Sequence, residues 1–116
     1  MYGNSSQNPN MPGPNQAYGQ AQNYFKVDSR GKGISDQEYQ ALTLSCFEVL
    51  GRRPPQLAPE IIKAVKQKIG GEWYVFVVPV HAENYDFYLS TVSGGDSLKI
   101  EDNQYIFHIC RIKQAY

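Results

Sequence analysis

Hydrophobic positions along this chain form two helical stripes and then a series of strand-like runs. After Ser35-Asp36-Gln37-Glu38, residues Tyr39, Leu42, Cys46, Phe47 and Leu50 recur at three- and four-residue spacing, the period of one helix face. Ser35 and Glu38 have the spacing of a capping box, in which the serine hydroxyl accepts from the Glu38 amide and the glutamate reaches back. Gly51 offers a left-handed stop, so a first helix is predicted over residues 36–50. Pro54-Pro55 lacks two amide donors and reads as an extended connector. Pro59 and Glu60 suit the first turn of a second helix. Its buried stripe is Ile61, Ile62, Val65 and Ile69, with Lys63, Lys66 and Lys68 facing out and Gly70-Gly71 ending it.

Residues 73–78 are continuously apolar between Gly71 and Pro79, which predicts a strand covered on both faces. Residues 86–93 read as a second strand, followed by a Gly94-Gly95-Asp96 turn. Leu98 and Ile100 alternate with Ser97, Lys99 and Glu101 in a short third strand. Asp102-Asn103 turns again, and residues 104–112 make the last strand, apolar on both faces apart from His108. Helix, helix and four strands joined by hairpin-length links predict an α+β fold, two helices packed on a four-stranded antiparallel sheet. One helix pair covers one face only, so a second copy of the chain is expected on the other.

Composition divides the 116 residues. Residues 1–25 contain no charged side chain and are dominated by Asn, Gln, Gly, Pro and Ser, so they are expected to form a disordered polar tail. Residues 26–34 read as a linker, and 35–113 as the folded domain. That domain is small enough for its core to be marginal, which again favours dimerisation. The formal charge is zero, so neither nucleic acid nor membrane is attracted by the chain as a whole. Five basic residues (Arg52, Arg53, Lys63, Lys66 and Lys68) lie between Gly51 and Gly70, whereas residues 72–110 hold six acidic residues and Lys99 alone. Cys46 and Cys110 fit no metal or redox spacing and read as buried thiols. No basic-plus-apolar leader opens the chain and no apolar run approaches membrane-spanning length, so a cytoplasmic protein is expected.

In order, these segments resemble the small cytoplasmic dynein light chains. Residues 40–50 resemble that family's first helix. Pro59-Glu60-Ile61-Ile62-Lys63-Ala64-Val65-Lys66-Gln67-Lys68-Ile69 and Trp73-Tyr74-Val75-Phe76-Val77-Val78 resemble its second helix and tryptophan-led strand. Phe87-Tyr88-Leu89-Ser90-Thr91 and residues 105–112 resemble later strands. The resemblance implies a dynein light chain-like homodimer that binds an extended partner segment by strand addition, with a dynein motor complex among the candidate partners. The chain departs from the family pattern at Ala58-Pro59, where a partner glutamine would be recognised, and across Ser97–Glu101, where the groove strand is aromatic. It also has Tyr74 in place of a dimer-interface histidine, so a pH-switched dimer is not expected.

Residues 24–38 also resemble an EF-hand entry and loop, as in parasite tegument proteins that join such a region to a dynein light chain domain. A calcium-binding, tegument-like protein is therefore one alternative. Arg30 and Lys32 stand at ligand positions, however, and cations repel calcium. His81 beside Glu83 and Asp86 reads as a solvated loop histidine, and Cys110 with His108 lacks an orienting carboxylate, so no enzyme activity is expected. No cofactor or metal is expected either. A second alternative is an RNA-associated accessory protein, with Arg52, Arg53, Lys63 and Lys66 on phosphates and the polar tail assisting. For the adaptor reading, Leu89, Thr91, Leu98 and Ile100 are the candidate partner-binding edge. Trp73, Val75, Val77, Ile106 and Phe107 are expected in core or dimer contacts.

Overall fold

In a computed structural model describing residues 14–81 and 96–112, three helices pack with a four-stranded antiparallel sheet, an α+β fold. The elements are α1 (Pro14–Tyr24), β1 (Lys26–Arg30), α2 (Asp36–Arg52), α3 (Leu57–Ile69), β2 (Trp73–Pro79), β3 (Ser97–Glu101) and β4 (Tyr105–Arg111). The spatial order is β1-β3-β4-β2. Because β4 lies antiparallel to both, β2 and β3 run parallel without touching, and the link between them joins opposite ends of the sheet. The expected strand over residues 86–93 falls outside the described residues.

The helical stripes bury as their spacing requires. Tyr39, Leu42, Cys46 and Val49 of α2 and Ile61, Ala64 and Val65 of α3 meet Trp73, Val75, Leu98, Ile100, Phe107 and Ile109 of the sheet. The capping box forms in full: the Glu38 amide donates to Ser35 Oγ at 3.1 Å, and the Ser35 amide donates to Glu38 Oε1 at 2.9 Å. Gly51 does not end α2. The helix continues to Arg52, and Arg53 takes the left-handed conformation (φ 53°, ψ 53°), donating its amide to the carbonyls of Val49 and Leu50. Pro54 explains the shift, since a residue preceding proline is disfavoured in the right-handed helical region. α3 begins two residues before Pro59, which sits within the first turn, where its missing amide donor is tolerated. Beyond α3, Gly70 and Gly71 both have positive φ, and Trp73 Nε1 donates to the Gly70 carbonyl at 2.8 Å.

Two expectations about the N-terminal region differ from the structure within residues 14–30, and residues 1–13 of the expected tail lie outside the described residues. Residues 14–24 are helical, and Ala21 and Phe25 are buried. An uncharged eleven-residue helix would not hold in isolation; packing against α2 supports it. Tyr18, Ala21 and Phe25 repeat at helical spacing, Tyr24 stacks edge-on against Phe47 at 5.6 Å, and Phe25 meets Phe107 in the same way at 5.6 Å. Residues 26–30 are a strand rather than a linker or an EF-hand loop. β1 pairs with β3, with a bulge between Val27 and Ser29. Arg30 donates to the Ile34 carbonyl and to Asp36 and covers the Tyr39 ring, fixing the turn into α2.

Arg111, at the end of β4, joins three parts of the fold. Its guanidinium pairs with Glu38 of α2 and with Asp96 at the start of β3, and lies 5.1 Å from the Trp73 ring centroid. Burial raises the affinity of Glu38 for its proton, but the Ser35 amide and Arg111 outweigh burial and hold the carboxyl below its usual range. A depressed carboxylate contributes stability above its unfolded pKa, about 4.3, and that stability is lost as pH falls through the lower folded value. Arg111→Met is expected to lower unfolding free energy by about 1–3 kcal/mol, because Asp96 is buried and Glu38 partly buried. Lys66→Met, which breaks the exposed pair with Glu72, should cost less than about 1 kcal/mol. Urea titrations at pH 7 and at pH 3.5 check both, with the difference between Arg111→Met and the parent shrinking at the lower pH.

Candidate protein-interaction surface

The two faces of β2 differ sharply. Trp73 and Val75 are buried under the helices, whereas Tyr74 is 48% exposed and Phe76 38% exposed on the opposite face. Among the described residues α2 and α3 cover one side of the sheet; on the other side His108 and Cys110 of β4 are buried while Tyr74 and Phe76 of β2 stay partly exposed, so the expected two-sided cover is met in part. The exposed pair is stacked, with ring centroids 6.1 Å apart. Across the ladder stand Cys110 opposite Tyr74, His108 opposite Phe76, and half-buried Ile106 opposite Val78. These side chains form a strip along β2 and β4 on the outer face, exposed at Tyr74 and Phe76 but buried at His108 and Cys110, and bordered by Ser97, Lys99 and Glu101 of β3.

The edge of β2 is equally informative. Val80 donates its amide to Gln104, and the Glu72 carbonyl accepts from Ile112. Backbone groups alternate sides along a strand, so the even-numbered residues of β2 bond to β4. Val75 and Val77 turn their amides and carbonyls to the other edge, where no described strand pairs with them. β2 is seven residues long, runs in unbroken register against β4 and carries no charge. The opposite edge of the sheet, β1, is five residues long, bulged, and bears Lys26, Asp28 and Arg30. Short, bulged and charged edges resist pairing, whereas a long apolar one invites it.

Of the expected partner-binding residues, Leu98 and Ile100 are corrected: both are buried in the core, on a strand flanked by β1 and β4. Leu89 and Thr91 lie outside the described residues. Trp73, Val75 and Phe107 are core residues, Val77 is partly buried against the core, and Ile106 lies on the outer face. The basic stretch divides in two. Lys63, Lys66 and Lys68 pair with Glu60, Glu72 and Glu48, while Arg52 and Arg53 are exposed. A concave site that the sequence did not disclose lies where the α2–α3 connector faces the end of β2 and the β3–β4 turn, with Tyr24 of α1 on its rim. Asp102 shapes that turn by accepting from the amides of Gln104 and Tyr105, both at 2.7 Å, and from the Tyr24 hydroxyl at 3.1 Å.

The chemistry available on the outer face is limited. Burial pushes the thiols of Cys46 and Cys110 up, away from the reactive thiolate. His81 is exposed, and Glu83 and Asp86 lie outside the described residues. Among the described residues, no helix is long and apolar enough to cross a membrane.

His108 has its pKa lowered to about 4 by burial, with Lys99 adding to the effect and Asp28 opposing it. A histidine that stays neutral in the fold but charges when unfolded makes stability fall as pH drops from about 6.5 toward the folded value. That loss is expected to be on the order of 2 kcal/mol. His108→Gln should flatten the stability profile between pH 6.5 and pH 4.5, measured by urea denaturation.

Comparison with protein-family models and with curated proteins finds no match to this chain.

Proposed function

We propose that this chain is a non-catalytic protein-interaction module, a dynein light chain-like homodimeric adaptor that takes up an extended partner segment by strand addition. The observation that carries this reading is the edge of β2, with which no described strand pairs, beside the partly exposed Tyr74–Phe76 pair. Main-chain groups at Val75 and Val77 supply hydrogen bonds to an incoming strand, and the aromatic face supplies apolar area next to it. Tyr74 and Phe76 are already about half buried, so a second copy that covers one of them completely adds roughly 1 kcal/mol. Placing Leu98 and Ile100 in the core moves the interaction edge from β3 to β2. The resemblance of residues 40–50, 59–69 and 73–78 to dynein light chains supports the same class of function.

The three ion-paired lysines weigh against the RNA-associated alternative, because their charge is already neutralised by neighbouring carboxylates. The calcium-binding alternative loses its loop to β1.

Sedimentation of the full chain at tens of micromolar tests the proposal. Since β1 and α1 belong to the fold, truncation at Ser35 would remove an edge strand and is not a fair test. The expected species is a dimer of the 13.1 kDa chain. Tyr74→Lys combined with Phe76→Lys should weaken association at least about tenfold, roughly 1.4 kcal/mol, with an unchanged circular dichroism spectrum. Val77→Pro, which removes one outward amide, should also weaken it. A strictly monomeric parent protein would overturn the reading.

A further inference from the structure

The concave site beside Tyr24 has a volume of about 1100 Å³, comparable to sites that hold ligands and peptide side chains. Tyr24, Leu50, Leu57, Val77 and Tyr105 give it apolar walls, and among the described residues lining it Arg53 is the only charged one. Asp102, behind Tyr24, is already engaged by that hydroxyl and by two backbone amides.

Arg53 is unusual in two independent respects. It is the only non-glycine residue with positive φ among those described, a conformation in which a β-carbon crowds the following carbonyl and which glycine fills more readily. Like Lys32, Arg52 and Lys99 it pairs with none of the described carboxylates, and of these four it alone lines the cleft; all three lysines of the neighbouring helix α3 are paired. The cleft therefore presents one uncommitted guanidinium amid apolar walls. Gln56, at the start of α3 on the same wall, makes no side-chain capping bond, so the local field also favours negative charge.

We propose that this cleft receives an extended partner segment carrying one carboxylate flanked by apolar residues, with Arg53 pairing to the carboxylate. The proposal rests on the interaction-module reading above and names the chemistry of the partner. A polyanion such as RNA is disfavoured by the same geometry, because it needs several free cations and little apolar wall. A single carboxylate with aliphatic neighbours complements one guanidinium set beside Leu50, Leu57 and Val77, with Gln56, Asn103 and Gln104 left to meet the segment's backbone, and guanidinium suits a carboxylate through paired hydrogen bonds.

The test uses full-length, nitrogen-15-labelled protein and three probes: the blocked peptide acetyl-Leu-Val-Asp-Val-Pro-Ile-amide, its twin with Asn in place of Asp, and a six-residue oligouridylate. The Asp peptide is expected to shift the amide signals of Arg53, Gln56, Leu57 and Tyr105 and to bind about tenfold more tightly than the Asn twin. Arg53→Gly should abolish that preference while raising the thermal midpoint, because glycine relaxes the backbone at this position. Arg53→Lys should retain part of the preference. Equal binding of the two peptides, absence of shifts at the cleft, stronger binding of the oligouridylate there, or a preference that survives Arg53→Gly would each overturn the proposal. These readouts do not depend on association state: a dimer indifferent to the Asp peptide refutes the cleft alone, and a monomer that prefers it refutes the dimer alone.

Discussion

A β-sheet has two faces and two edges, and a single helical layer can cover only one of those four surfaces. That constraint organises this protein. α2 and α3 bury the face formed by Trp73, Val75, Leu98, Ile100, Phe107 and Ile109. β1 closes one edge with a short, bulged, charged strand. No described strand pairs with the outward groups of Val75 and Val77, and Tyr74 and Phe76 keep part of their rings exposed on the far face. Burial of apolar area dominates folding and association alike, so these surfaces are where binding energy is available. The function proposed here follows from them, not from any reactive group.

The helical layer is held in register by polar contacts placed where packing alone would leave freedom. Glu38 serves twice, capping the start of α2 and pairing with Arg111 at the end of β4. Arg111 in turn pairs with Asp96 and covers Trp73, so one guanidinium ties the helix start, the first residue before β3 and the opening of β2. At the other end of the sheet Asp102 plays a similar part for α1 and the β3–β4 turn. Between these two points lies the hydrophobic core, and beside the second lies the Arg53 cleft. The cleft is thus built where α1, α2, α3, β2 and β4 come together.

α1 shows how little apolar content suffices when its positions are right. Asn and Gln dominate the helix, yet Tyr18, Ala21, Tyr24 and Phe25 place their surface on α2 and the core. Average composition argued for a disordered segment because it ignores position. The spacing of Tyr18, Ala21 and Phe25 was the available signal, weak because only three residues carry it. β1 left even less: Val27 is its lone apolar residue, and the strand exists because β3 offers it a ladder.

The sequence by itself determined the helices α2 and α3, the capping box, the strands β2, β3 and β4, and the surplus of apolar residues over what two helices can shield. Those features depend on periodicity and on neighbours within four residues, which a linear reading captures. Only the tertiary structure decided that β3 is interior, so that Leu98 and Ile100 belong to the core and β2 is an edge among the described strands. Strand order depends on hydrogen bonds between segments distant in the chain, and period-two patterns are the same at an edge and in the middle of a sheet. The left-handed Arg53, the pairing of the lysines and the assembly of the cleft are likewise decided by contacts across the fold. Neither local propensity nor charge counting encodes which of the unpaired cations comes to line a cleft.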